Sequence, residues 1–580
     1  MNRHRIPLIV TGGSVVLNCV ALAEPPPSIE TLLRDFEANP AAHSHMPDVS
    51  WAGYRYGEEP IPQREGPVFN VRDFGARGDG TANDQPAIRK ALEAVGTEGG
   101  VVYFPAGTYR IDGLLFVHTD RTVLRGESRE SVELVFTQPL AKAYGRLEAE
   151  PGRQGAKERR VLDNLKTLYG DDVASDDLPG FGSRWSWKGG TIWFTPRERV
   201  TYREDPSAPL PRGRTNDPVK EDWLAGDPVA SVAPARRGDT RIELDSTTGI
   251  QPGDFILLQM TDDKTSTLAR HLSGDGEWAD AFNRTSDLSR SWFGFRHLHW
   301  PAEVIRTEGA FVHLRQPLRF DIRREWKPVL RPIGPVISES GLERMTIRHL
   351  RQHGWETAGH NMYPGWNGVW FQLAIHCWAR DITLINTDNA IGTGMSKCVT
   401  VENFHITADQ PHLRQHHHAT LTRAQSHDIL FQDFVVDTKP RHGLNTEQFS
   451  SGIVWSRGSM AGGTFDTHRQ LPFENVRTEI TLYNDGHFGG TGGPLMGARF
   501  VHWNIEVQNH RDHVVGWSNE MPNGIIAGLR GVRVLRESQP SENATRPLPR
   551  VSNAMILLEG GTPEPANLYE WQRALRLNRR

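Results

Sequence analysis

The stretch that decides the fold is 68-VFNVRDFGARGDGTANDQPAIRKALEAVGTEGGVVYFPAGTYRIDGLLFVHTDRTVLRG-126. Val71 and Phe74 open it, and Gly75, Gly78 and Gly80 mark tight turns. Asp84 precedes Gln85-Pro86, and proline suits the first turn of a helix. Ala87, Ile88, Ala91, Leu92 and Val95 then form one apolar stripe at helical spacing. After Gly99-Gly100 come VVYF, GTYRI, LLFV and TVLRG, short apolar runs closed by Gly, Asp or Pro, which read as strands. The pattern is therefore one amphipathic helix followed by a ladder of short strands.

These residues resemble the N-terminal signature of the pectate-lyase-like superfamily. The resemblance implies an all-β fold, a right-handed single-stranded parallel β-helix with an N-terminal capping helix. It is specific for fold and weak for reaction, because that scaffold carries lyases, hydrolases, epimerases and phage tailspikes.

The chain has 580 residues, enough for two or three globular domains or for one long solenoid with an insertion. Its 56 Gly and 38 Pro favour a turn-rich architecture. A net charge of −4 argues against a general nucleic-acid binder, which would show a basic face. Met1-Asn2-Arg3-His4-Arg5 is basic, Ile6 to Val20 is mostly apolar, and Ala21-Leu22-Ala23 fits a cleavage site. Residues 1–23 thus read as a secretory signal peptide, so a periplasmic or secreted protein is expected, off the membrane once the signal is cleaved. Beyond Cys19, Cys377 and Cys398 lie 21 residues apart. They could pair across neighbouring rungs or remain two buried thiols.

Residues 24–66 are Pro-rich and expected to form an irregular arm. Residues 67–137 hold the capping helix and first rungs. Over 138–335 the rhythm breaks, and RIEL followed by Gly253-Asp254 and FILL suggests an inserted small β module that could wall a groove. The main solenoid is expected over 336–535, where LERMTIRHL, ARDITLINT, KCVTVENFHI and SHDILFQDFVV share one outline. Ile382, Val399 and Ile429 are read as equivalent points in successive rungs. Residues 536–580 form a tail with one short helical pattern, LYEWQRALRL.

Polar residues crowd 412–504. Arg423 to His442, Glu447 to Asp466, Asp466 to Asp485 and His468 to His487 are each separated by 19 residues, close to one rung, so they could stack on one face. A lyase acting on a uronate must neutralise the carboxylate and remove the C5 proton, tasks suited to Arg and His. The expected catalytic set is Arg423, His442, Glu447, Asp466, His468 and Arg469. His416, His418, Asn445, Asp485, His487 and Trp503 are expected to bind substrate. A glycoside hydrolase would instead draw a carboxyl pair from Glu447, Asp466 and Asp485. Within 416–418 only His416 and His418 would share a strand face, a spacing open to a transition metal, yet no metal is expected. No cofactor is expected either, with calcium left open through Asp and Glu.

The segments HHHATL, SHDILFQDF, GTFDTHR, ENVRTEI and GARFVHWNI resemble a subgroup of secreted β-helix proteins over roughly 340–530. The Asp-rich pattern of polygalacturonase-like hydrolases and the calcium-binding Asp cluster of pectate lyases are both missing. Trp366, Trp370, Trp378, Trp455, Trp503 and Trp517 could stack on sugar rings or pack the core. The favoured reading is an exported enzyme cleaving an acidic polysaccharide, a lyase ahead of a hydrolase. A non-catalytic glycan-binding β-helix is the rival from another class, and oligomeric state leaves no signature.

Overall fold

A computed structural model describes residues 27–144, 183–199, 223, 225–276, 297–353, 363–462, 465–467, 470–483, 497–508, 514–515, 521–534 and 554–579. Residues 1–23, read from the sequence as a signal peptide, lie outside the described residues. The expected capping helix is present at Gln85–Ala94, with Pro86 in its first turn and Ala87, Ile88 and Ala91 buried. The Asp84 carboxylate accepts from the N–H groups of Arg77 and Gly78 at 2.7 and 3.0 Å, so it ties the preceding turn rather than capping the helix. Gly78 sits at φ +62° with the Tyr109 ring 3.0 Å from where a Cβ would be, which accounts for glycine there.

Behind the helix the chain winds into a parallel β-helix. One long sheet runs from Val68–Asn70 through Gly100–Phe104, Thr122–Gly126 and Gly341–His349 to Met555–Leu557. A shorter parallel sheet stacks Leu115–Val117, Ile192–Phe194, Val369–Gln372, Asn389–Gly394, His418–Arg423 and Leu444–Thr446. A third side is a column of single bridges through Ile375, Lys397, His427, Ser451 and Phe473. Inside, Val102, Leu124, Ile382, Phe404, Phe431 and Trp455 belong to one continuous apolar core.

Register corrects one sequence expectation. Ile382 pairs with Phe404, and Phe404 with Phe434, so Val399 is not its equivalent. The series continues through Gly458, Ile480, Ile505 and Leu529. The Phe434 ring occupies the space a Cβ on Gly458 would need, at 2.1 Å.

The insertion does not interrupt the solenoid: Val123 and Leu124 pair directly with Gly341 and Leu342. It also supplies a rung, since Ile192–Phe194 pairs with both Leu115–Val117 and Val369–Gln372. Its remainder forms a six-stranded antiparallel sheet, Arg241–Glu243, Phe311–Leu314, His297–Glu308, Phe255–Thr261, Val329–Pro332 and Ala230–Ser231. That sheet packs its apolar face on Phe449, Leu471 and Phe473, along the third side.

The arm expected to be irregular contains the helix Ile29–Ala38, capped by Ser28, whose Oγ accepts from Thr31 N–H at 3.2 Å. Leu32 and Phe36 from that helix join Leu568 and Tyr569 from the C-terminal helix Leu568–Asn578. Together they cover Leu430, Val454, Val476, Val501 and Ile525 on the outer face of the long sheet. The Pro-rich composition hid this helix because its apolar face is only about three turns long. Cys377 and Cys398 are two buried free thiols, one in the solenoid core and the other against Trp51 and Tyr56. Among the described residues no helix is long and apolar enough to cross a membrane.

Candidate active site

Strand alternation decides which side chains of the short sheet face outward. Ile192, Val369, Ile391 and Leu444 point into the core, in register with Thr420. The next row, Trp193, Trp370, Gly392, Leu421 and Asn445, therefore points out. In its first rungs this outer face is apolar, with Trp185, Trp193, Trp370 and Leu421 in one cluster. In the later rungs it turns polar. Asn445 continues that row fully buried, and among the described residues neither polar atom of its amide meets a hydrogen-bond partner.

Two pairs flank Asn445, one from each end of the strand His418–Arg423. At its C-terminal end Arg423 Nε lies 2.8 Å from Glu447 Oε1, and its Nη1 donates to Trp187 O at 2.9 Å. At the other end His442 Nδ1 lies 2.5 Å from Asp466 Oδ2. These partners are 24 residues apart, a full rung here, so the 19-residue alignment does not hold. Rungs exceed 19 residues because each carries turn residues that the interval did not count.

Three imidazoles gather at this end. Ring centroids are 4.1 Å apart for His417 and His418, 4.8 Å for His417 and His442, and 5.0 Å for His418 and His442. Backbone geometry places them: the N–H groups of His417 and His418 both donate to Asp388 O, and His442 N–H donates to His417 O at 2.8 Å. Asp388 is itself fixed by Arg351, 3.1 Å away and fully buried with it. Tyr363 stacks on His417 at 4.3 Å, and Trp187 meets it edge-on at 5.5 Å. From inside the solenoid Arg477 donates to the backbone carbonyls of Leu444 and Asp466, each at 2.9 Å. Burial pulls the Arg477 guanidinium down to about 9 against the opposing pull of Asp466.

The sequence-predicted residues divide clearly. Arg423, His442, Glu447, Asp466, His418 and Asn445 share this outer face. His416 lies in the separate strand Gln415–His416, where its Nε2 meets Thr438 Oγ1 at 2.7 Å. Burial, reinforced by Arg351, lowers its pKa to about 3, so the ring is neutral. It is His417, in the bend between two strands, that joins His418; strict alternation fails where the strand is broken. Trp503 is not a groove residue: it is buried on the outer face of the long sheet, donating to Pro565 O at 2.7 Å. Trp455 packs in the core and Trp378 beneath Tyr54, so neither offers a sugar platform. His468, Arg469, Asp485, His487 and Trp517 lie outside the described residues.

The insertion reaches this site through residues 183–188 rather than through the antiparallel sheet. Ser186 O and Trp187 O reach His417 and Arg423. Sequence reading missed His417, Asn389, Tyr363 and this Trp-rich segment, GSRWSWKGG. The unbroken run of three histidines was the available signal for His417.

Residues 68–151 match the family described as rhamnogalacturonase A/epimerase, pectate lyase-like. The match covers that stretch alone, and there the chain is similar to the family. It is 54% identical over 48 residues to mannuronan C5-epimerase AlgE3 of Azotobacter vinelandii, covering 8% of this chain and 3% of that one. It is 50% identical over 150 residues to alginate lyase 7 of the same organism, covering 23% and 17%. Plasmin and fibronectin-binding protein A of Streptococcus pneumoniae is 40% identical over 167 residues, covering 26% and 23%. The chain spans less than a quarter of the length of each of these relatives.

Proposed function

We propose that the protein is a polysaccharide lyase acting on a uronate-containing glycan by β-elimination at the outer face of the short sheet. The observation that carries this reading is the flanking of Asn445 by the Arg423–Glu447 and His442–Asp466 pairs. Removing the C5 proton of a uronate needs a cation opposite the carboxylate and a base beside C5. Arg423, held in place by Glu447 and Trp187 O, sets a guanidinium charge on this face to oppose a carboxylate. The histidine group, oriented through Asp466, supplies the base. The Asn445 amide offers a donor and an acceptor for sugar hydroxyls.

C5-epimerisation and alginate cleavage, the activities in two relatives' names, both begin by removing that proton. They differ in whether a proton returns to C5 or the C4 oxygen leaves, taking its proton from the group that removed the one at C5. Among the described residues hydrolysis is disfavoured because both carboxyl groups at the site are engaged, Glu447 by Arg423 and Asp466 by His442. A hydrolase needs one carboxyl free to protonate the leaving oxygen.

The test is incubation with alginate and other polyuronates, following near-ultraviolet absorbance, reducing ends and solvent deuterium at C5. Absorbance and reducing ends rising together are expected. Deuterium uptake without new ends would convert the reading to an epimerase, and ends without absorbance to a hydrolase. Saturable glycan binding with no chemical change would replace it with a binding protein.

A further inference from the structure

The three histidines are arranged beyond what one base requires. In each, the Nδ1 atom faces a group that accepts. His417 Nδ1 is 2.6 Å from Ser186 O, His418 Nδ1 2.7 Å from Asn389 Oδ1, and His442 Nδ1 2.5 Å from Asp466 Oδ2. A backbone carbonyl and a carboxylate can only accept. The Asn389 amide is oriented by its own neighbours: its Nδ2 donates to Trp185 O and Ser186 O, both at 3.1 Å, and to Asn367 Oδ1 at 2.9 Å. Asn367 is fixed in turn by donating to Trp185 O and Lys188 O. The Asn389 oxygen therefore faces His418.

All three rings are thus set as Nδ1–H donors, which leaves the Nε2 lone pair as the ligating atom of each. One ring nitrogen from each residue lies within 4.8 Å of the others, and all three residues are buried. Neutral imidazoles whose second nitrogen donates to a carboxylate, a carbonyl or an amide oxygen are what a metal-binding histidine shell consists of. We propose that His417, His418 and His442 form a site for a divalent first-row transition ion, of which Zn²⁺ is the best-fitting member. The all-nitrogen donor set suits zinc and its neighbours and does not suit calcium, which takes oxygen ligands. Zinc–nitrogen bonds of about 2.0–2.1 Å draw the rings inward from their present spacing. Three protein ligands leave a coordination position open, the pattern of a catalytic rather than a structural zinc.

The location rests on the proposed active site, because the ion would sit beside Asn445 on the same face. With all three Nε2 lone pairs on the ion, the base is no longer an imidazole: the ion would act as a Lewis acid toward the carboxylate, and a water whose pKa it lowers would take the C5 proton in the histidines' place. Asp466 and Asn389 are then positioning residues that fix tautomer and ring orientation.

The experiment is elemental analysis of the full-length protein purified without chelator, repeated after dialysis against Zn²⁺ and, separately, Co²⁺. About one equivalent of bound metal is expected, with a visible ligand-field band in the cobalt form. His418→Ala and His442→Ala should each lose the metal while keeping the wild-type far-ultraviolet dichroism. Should a variant unfold, His442→Gln, which keeps volume and a hydrogen bond, serves in its place. No metal before dialysis and none taken up afterwards, by protein with a cooperative thermal transition, overturns the site. Metal retained at full stoichiometry by folded variants also overturns it. Stoichiometric, histidine-dependent metal without activity on any polyuronate would leave the site standing and remove the lyase reading; lyase activity in metal-free protein would do the reverse.

Discussion

His442 is fixed by its neighbours on three sides: its ring by Asp466, its backbone by His417, and its stacking partner by His418. Asp466→Asn keeps the shape but offers an amide that can present its N–H to the ring, favouring the wrong tautomer. We expect kcat to fall by about 10²- to 10⁴-fold with KM nearly unchanged, measured on the polyuronate that gives the highest rate. Asn445 makes a different prediction. A buried amide without partners costs about 1–3 kcal/mol, so Asn445→Leu should raise the thermal midpoint while raising KM. A midpoint that falls instead would mean that the amide serves the fold and not a ligand. Most of these residues were legible individually, as an Arg, His, Asp and Asn surplus in one segment. Their partners were not, because a hydrogen bond between rungs depends on turn lengths that composition does not encode.

At the scale of the elements, the capping helix and the first strands could be read directly, since helical and strand periodicities there are local. The rung repeat was harder. Ile382, Phe404 and Phe434 stack although the loops between them differ in length, and alignment by spacing placed Val399 in the series by mistake. Stacking order is set by inward side chains that fit one another, as Gly458 shows by yielding space to Phe434. Gly458→Ala should therefore cost about 1–3 kcal/mol through overpacking, read as a lower thermal midpoint. KM should be unchanged, because the long sheet's interior is remote from the outward face that carries Asn445. The strand His418–Arg423 similarly explains the site's layout: one end holds His418 and the other Arg423, and Leu421 between them leads in register to Asn445.

At the scale of the whole molecule, the outer face of the long sheet carries the two terminal helices and the third side carries the inserted antiparallel sheet. The polar residues of the short sheet form the remaining side. The insertion is joined to the solenoid by a buried charge network: Arg319 bridges Asp428 and Glu474 (3.0 Å to the latter), Lys397 lies 2.5 Å from Asp428, and Arg237 and Arg499 meet Glu474 at 2.9 and 2.7 Å. Burial alone would raise both carboxyl groups. Lys397 and Arg319 outweigh it at Asp428, and Arg237, Arg499 and Arg319 at Glu474, holding each at about 2. Both folded values lie below the unfolded ones of 3.8 and 4.5, so their contribution is fully present above about pH 5. It is lost as pH falls through 4 toward 2, on the order of 2–3 kcal/mol for each group. Thermal midpoints should thus drop steeply over that range, and Glu474→Gln should flatten the drop while lowering stability at neutral pH.

Sequence alone determined the fold class, through periodicities confined to a few neighbouring residues and through the short runs of a stacking solenoid. It also singled out the stretch of chain that carries the candidate site. Which residues meet was decided only by tertiary structure. His417, His418, His442 and Asp466 come together because successive rungs bring residues 24 apart into contact, and Ser186 and Asn389 reach them from the insertion and the preceding rung. Trp503 went to the opposite side for the same reason: its strand, not its chemistry, chose the face it occupies.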